Sequence, residues 1–163
     1  MNIGKQHLSK RCLVIIRHAH RNKRYLDNGL SQKGKKQTVA LMKYFRIMYK
    51  KKNITILSSP KRRCVETVEP LSQLQKKAIV ITKDLDEGGS LARNVSRFFR
   101  AWKKKTSELT VICSHGDWIS QALRAWTGAS VELSKGGLIE LRLNKGQMTI
   151  ERILQNTDLE TLH

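Results

Sequence analysis

Four short clusters in this chain hold the side chains best suited to chemistry on an anion. Arg17-His18-Ala19-His20 follows one apolar run and Ser58-Ser59-Pro60-Lys61-Arg62-Arg63 a second. Leu85-Asp86-Glu87 follows a third, and Ser114-His115-Gly116-Asp117 a fourth. Between them they offer guanidinium donors, imidazoles and carboxylates, groups that bind phosphate or move a proton. Each has a plainer reading alone. A histidine at a strand end is commonly a hydrogen-bonded structural residue, and an arginine at a helix start is commonly solvated. Four such ends arriving on one rim favour phosphate chemistry, because ligands of open α/β sheets bind beyond the carboxyl ends of the strands.

To bring those clusters together the chain must alternate strands and helices, and its hydrophobic pattern does so. Cys12–Arg17 is short, apolar and β-branched, as a buried strand is. The polar stretch from His20 to Gly29 reads as a loop. Ser31 is placed to cap a helix whose apolar stripe is Val39, Leu41, Met42, Phe45, Met48 and Tyr49. Lysines 50–52 close it where the helix dipole favours cations. Ile54–Leu57 predicts a second strand, and Ser58-Ser59-Pro60 turns into a helix with the proline in its first turn. Ala78–Thr82 predicts a third strand. Ser90 caps a helix burying Leu91, Val95, Phe98, Phe99 and Trp102, and Leu109–Cys113 predicts a fourth strand. A helix with Trp118, Ile119, Ala122, Leu123 and Trp126 on one face follows. Leu138–Leu143 and Met148–Leu154 then alternate around Asn144-Lys145-Gly146-Gln147, the pattern of a hairpin. The expected fold is a three-layer α/β/α sandwich, its central sheet mostly parallel, with a C-terminal β-hairpin. One domain is expected over 1–163, its core at about 12–154, with residues 1–10 and 156–163 as frayed ends.

Composition narrows the class further. The 163 residues carry 32 Lys+Arg against 13 Asp+Glu, a net charge of +19. Residues 1–63 hold 18 of those cations and one acid, Asp27, so the excess is concentrated there. Such asymmetry suits an anionic partner, although most surface lysines serve only solubility. The longest apolar run, Cys12 to Ile16, is far too short for a membrane span, and no signal-peptide pattern is present. Three widely spaced cysteines (Cys12, Cys64, Cys113) argue against a disulfide framework or a cysteine-based zinc site, and for the reducing cytoplasm.

These clusters resemble the histidine phosphatase superfamily, also called phosphoglycerate mutase-like. Its Arg-His-Gly motif stands here as Arg17-His18-Ala19, and its Leu-Thr/Ser-x-x-Gly-x-x-Gln signature as Leu30-Ser31-Gln32-Lys33-Gly34-Lys35-Lys36-Gln37. Its Ser-Ser-Pro-x-x-Arg-x-x-x-Thr signature runs from Ser58 to Thr67, and its late Ser-His-Gly motif is Ser114-His115-Gly116. The resemblance implies a metal-independent, cofactor-free phosphatase that works through a phosphohistidine on His18. Arg17 and Arg63 would clamp the phosphoryl oxygens, since guanidinium forks match phosphate bidentately. His115 would be a further donor to the transferring group. It also implies a carboxylic acid after the third strand to protonate the leaving group: Glu87 first, Asp86 second, with Asp117 a third candidate. The plain alternatives are that Asp86 and Glu87 only shape a turn and that Asp117 only complements a helix dipole.

Departures from the family pattern bear on substrate. Ala19 replaces the usual glycine and limits how closely backbone approaches a ligand. The loop after His20 lacks the Glu-Thr-x-x-x-Asn of sugar-phosphate members and offers Arg21, Lys23 and Arg24 instead, so Arg21, Arg24 and Gly116 are the expected substrate contacts. Between Leu85 and Cys113 there is room for little more than one helix, too little for the lid that shields a mutase's phosphoenzyme from water. A phosphatase is therefore expected over a mutase. The length is similar to that of the small bacterial branch acting on phosphohistidine proteins, and the substrate expected is a phosphorylated small molecule or phosphoprotein. The rival reading is a basic nucleic-acid- or phosphate-binding module without turnover. Against it, Trp102, Trp118 and Trp126 fall on apolar helix faces, where core burial is expected rather than base stacking.

Overall fold

Burial of one strand organises the molecule. In a computed structural model that describes residues 11–24, 29–105 and 107–162, β1 (Arg11–Arg17) buries Leu13, Val14, Ile15 and Ile16 almost completely. Side chains alternate across a strand, so β1 feeds two cores. Val14 and Ile16 face α1 (Gln32–Met48), α2 (Arg62–Gln75) and α5 (Asn156–Glu160). Leu13 and Ile15 face α3 (Leu91–Lys103) and α4 (Gly116–Thr127). This is the expected three-layer sandwich.

The sheet has six strands in the order β3-β2-β4-β1-β5-β6. β2 (Ile54–Ser58), β3 (Ile79–Ile81) and β4 (Leu109–Ser114) run parallel to β1. β5 (Leu138–Asn144) lies antiparallel to β1 and pairs with β6 (Gln147–Leu154). Lys145 and Gly146 both take positive φ, 49° and 82°, which a two-residue hairpin turn needs to follow the strand twist. The parallel strands β1, β2 and β4 end side by side, with Arg17 opposite Ser114 and Ser58 opposite Cys113. Three of the four clusters thus meet at one sheet edge by register alone.

The structure differs from the sequence reading in four places. Val39 and Met48 on α1 are exposed, while Gly34, Gln37, Thr38, Ala40 and Tyr44 are buried instead. The buried face takes in Gln37, which holds the His20 amide, and Tyr44, which donates to Glu140. Pro60 precedes α2, whose N-cap is Lys61, and does not lie in its first turn. β3 is shorter than Ala78–Thr82, since as an edge strand it pairs only with β2. Residues 156–160 form α5 rather than a frayed end: Leu159 is fully buried, and Gln155 and Asp158 cap each other's backbone. The reading of 1–10 as frayed lies outside the described residues. Trp102 and Trp118 are buried, and Trp126 stacks on Phe99. Among the described residues no helix is long and apolar enough to cross a membrane.

Candidate active site

His18 sits just past the end of β1, 5% exposed, and its backbone N–H continues the sheet by donating to Ser114 O at 3.0 Å. The next amide, Ala19 N–H, donates to Thr67 Oγ1 at 2.9 Å, and that hydroxyl donates to Arg63 O at 2.6 Å. Thr67 therefore ties the His18 loop to the first turn of α2. His18 Nδ1 lies 2.9 Å from Ala19 O. Since a carbonyl only accepts, Nδ1 carries the proton and Nε2 keeps its lone pair. Burial, then the positive fields of His115, Arg63 and Arg17, push the His18 pKa down to about 3. The imidazole is a neutral base with its nucleophilic nitrogen fixed.

The opening of α1 holds the same loop from the other side. Ser31 caps the helix through Gly34 N–H, and its own N–H donates to His20 O at 3.0 Å. A Cβ at Gly34 would sit 2.1 Å from that carbonyl oxygen, a clash, so glycine is required for close approach. Gln37 Oε1 accepts His20 N–H at 2.7 Å. The Ser31, Gly34 and Gln37 spacing is thus a clamp on the backbone beside His18.

Facing His18 is His115, 1% exposed, the two ring centroids 5.4 Å apart. Its Nε2 pairs with Ser59 Oγ at 2.9 Å. Its Nδ1 lies 3.2 Å from Glu87 Oε2 and 3.3 Å from Arg63 Nη2. Arg63, 6% exposed, also donates through Nη2 to Glu87 Oε1. Arg17 donates through Nη1 to Leu133 O at 2.6 Å. The Nε–H groups of both arginines are buried and have no hydrogen-bond partner among the described residues. One buried and one half-buried guanidinium with spare donors beside a neutral imidazole form a site suited to a dianion.

The turn carrying the carboxylates is held rigidly through its carbonyls. Ser114 Oγ donates to Leu85 O at 2.7 Å and Trp118 Nε1 to Asp84 O at 2.8 Å. Asn94 Nδ2 donates to Asp86 O at 3.2 Å and Gly88 O at 2.9 Å. Glu87 is thereby placed against Arg63 and His115. Asp86 Oδ1 accepts Glu87 N–H at 2.8 Å and lies 3.8 Å from His115 Nε2, shaping the turn. Asp117, in the first turn of α4, accepts Trp118 N–H at 3.2 Å and lines a cleft with Arg17 and Arg124.

Of the expected substrate contacts, Gly116 lies under Arg17: a Cβ there would sit 2.9 Å from its guanidinium carbon. Arg21 forms a backbone bridge to Leu30, and Arg24 is exposed with its N–H on Asn22 Oδ1 at 3.1 Å. Residues 25–28 of that loop lie outside the described residues. Sequence reading missed Asn94 and gave Trp118 only a place on a helix face and Ser114 only a place in the late motif, without the clamping role of either. It also missed Lys135, which comes from the loop before β5. Burial and the fields of Arg17, Lys23, Arg21 and Arg63 hold its ammonium below the ordinary lysine range. Only its place in a Ser-Lys-Gly-Gly turn could have drawn notice.

Comparison with known proteins bears on the fold. The family described as histidine phosphatase superfamily (branch 1) matches residues 13–90. No curated protein sequence matches the chain. The protein histidine phosphatase SixA complexed with tungstate superposes with a TM-score of 0.78 at 17% identity, covering 91% of this chain and 99% of that one. A phosphoserine phosphatase mutant from Entamoeba histolytica, in complex with phosphoserine, gives 0.72 at 14% identity, covering 91% and 99%. A mycobacterial glucosyl-3-phosphoglycerate phosphatase gives 0.70 at 16% identity, covering 90% and 99%. The fold is that of the phosphoglycerate mutase-like proteins.

Proposed function

We propose that this chain is a metal-independent histidine phosphatase, an assignment carried by one observation. The neutral, tautomer-fixed imidazole of His18 shares its site with buried Arg63 and half-buried Arg17, whose buried Nε–H groups have no partner among the described residues. In the first step His18 Nε2 attacks phosphorus in line with the leaving oxygen; the N–P bond forms as the P–O bond breaks. Arg17, Arg63 and His115 donate to the oxygens of the transferring group. Glu87, in its protonated form, gives its proton to an alkoxide leaving group. In the second step the Glu87 carboxylate accepts a proton from water, whose oxygen attacks phosphorus, and His18 departs neutral with inorganic phosphate formed.

The substrate class that fits is a phosphorylated small molecule or a phosphoprotein. Hydrolysis suits the chain better than mutase chemistry because, among the described residues, a 3-10 turn (Lys83–Leu85) and α3 are the helical elements between β3 and β4, short of what a lid over the phosphoenzyme needs. The free thiols of Cys12, Cys64 and Cys113 fit a reducing compartment such as the cytoplasm. Burial of Trp102 and Trp118 speaks against a base-stacking module.

The test is hydrolysis of an aryl phosphate in EDTA by wild type and His18→Ala. An aryl leaving group needs little acid help, so the assay isolates the phosphate pocket from Glu87. Turnover that survives EDTA and vanishes in the variant supports the reading. Absence of turnover in folded wild type from pH 5 to 8 overturns it.

A further inference from the structure

The reaction above accounts for one phosphoryl group and leaves a second, open pocket beside His18 without a role. Its lining includes His20, Lys33, Gln37, Ser134, Lys135 and Asn156, and no carboxylate. Hydrogen bonds fix it relative to the nucleophile. Gln37 accepts His20 N–H at 2.7 Å and donates to Asn156 Oδ1 at 3.1 Å. Asn156 N–H donates to Ser134 Oγ at 2.9 Å. Two residues on, Gly136 N–H reaches Arg17 O at 3.1 Å and His18 O at 3.3 Å.

That arrangement commits the Asn156 oxygen and leaves its Nδ2 buried without a partner, in a residue only 7% exposed. A buried donor left unpaired is costly, so it persists where a ligand supplies the acceptor. The cations around it repel one another. Burial and Lys135, Lys33 and Lys23 lower the His20 pKa, and Lys135 is itself lowered by burial and its arginine and lysine neighbours. An anion relieves that repulsion. Walls from the loop after β1, from α1, from the loop before β5 and from α5 suit a compact anion better than an extended acidic peptide.

We infer that this pocket is a second anion subsite, and that the substrate's leaving group is a small molecule bearing a further phosphoryl group. Lys33, Lys135 and the Asn156 amide hold that group while His18 attacks the other. The inference rests on the phosphatase reading for the attack but not for the binding.

Alkane-α,ω-bisphosphonates of increasing spacer length and the matching alkyl monophosphonates test it on the full chain, by calorimetry and as inhibitors of aryl phosphate hydrolysis. One spacer is expected to bind roughly tenfold or more tightly than its monophosphonate. That ratio falls toward one in Lys33→Ala/Lys135→Ala and in Asn156→Asp. The lysine variants, altered at partly or fully exposed side chains, keep the test readable if Asn156→Asp fails to fold. Damage confined to the catalytic pocket weakens both compounds together and leaves the ratio intact. Equal affinity at every spacer, or a ratio that survives the lysine changes, overturns the subsite. So does tighter binding of an acidic monophosphorylated peptide than of any bisphosphonate. Bisphosphonate preference without aryl phosphate turnover removes the reaction and leaves the subsite; turnover without preference removes the subsite alone.

Discussion

Strand β1 runs between two buried polar clusters that are built on opposite rules. Toward its amino end, Glu140 of β5 lies opposite Val14 and is 6% exposed. Tyr44 and Tyr49 both donate their hydroxyls to its Oε1, the latter at 2.5 Å, and Arg152 Nε lies 3.7 Å from Oε2. Burial and the carboxylate hold both tyrosine hydroxyls protonated, well above the usual range. At the carboxyl end, Arg17, His18, Arg63 and His115 crowd together with donors to spare. Four buried side-chain polar atoms have no hydrogen-bond partner among the described residues. Three (Arg17 Nε, Arg63 Nε and Asn156 Nδ2) belong to the site or the pocket beside it, and the fourth, Arg142 Nε, lies 3.3 Å from Glu151. A satisfied cluster stabilises the fold, whereas an unsatisfied one is a place where the fold forgoes stability for binding.

Substitutions sharpen that contrast. The largest expected effect is His18→Ala, which lowers kcat/KM on an aryl phosphate by on the order of 10⁴-fold or more, because no other group supplies the nucleophile. Next, Arg63→Met lowers kcat by roughly 10²–10³-fold, and urea unfolding finds its stability changed less than that of Glu140→Gln, since removing a cation with an unpartnered buried Nε–H offsets the loss of its pair with the partly exposed Glu87. Glu140→Gln gives the mirror image: kcat/KM near wild type, with stability lower by about 1–3 kcal/mol as two tyrosine donors lose an ionised acceptor. If both variants lost activity and stability in parallel, the division between the two clusters would be wrong. Glu87→Gln separates leaving groups, with alkyl phosphate turnover falling by about 10²-fold and aryl phosphate turnover by much less.

The smallest effect is one of pH on stability. His18 titrates near 6.5 when unfolded and at about 3 when folded. As pH falls the unfolded chain takes up the proton first, so stability present above about pH 6.5 is lost progressively between 6.5 and 3, at up to about 1.4 kcal/mol per pH unit. His20, also lowered, adds to the loss with the same sign. Urea titrations at pH 7 and pH 5 check this, and His18→Ala flattens the difference without abolishing it.

Much of this was legible in the sequence because it depends on local pattern. The strands before Arg17, Ser58 and Ser114 are short apolar runs, and Ser31 and Ser90 act as caps through Gly34 and Arg93 amides, as their positions suggest. The clusters meet because parallel register aligns strand ends, a consequence of the fold class. What escaped was whatever depends on a partner distant in sequence. Asn94 and Trp118 look like helix residues until their side chains reach the carbonyls around Glu87. Leu159 alone gives no periodic signal that would order a terminus, yet its burial completes the core beneath α1. Lys135 and Asn156 belong to segments without apolar periodicity, and only the loop before β5 folding back onto Arg17 and His18 brings them to the site.

The central claim is that His18 Nε2 becomes covalently phosphorylated during turnover. Wild type and His18→Ala, mixed with a reactive acyl phosphate donor and quenched in alkali within the first turnover, are digested and their peptides weighed. The account predicts a base-stable, acid-labile phosphoryl group on the peptide bearing His18 in wild type and none in the variant. Turnover with no such species, or with the phosphoryl group on His115 or Cys64, would contradict it.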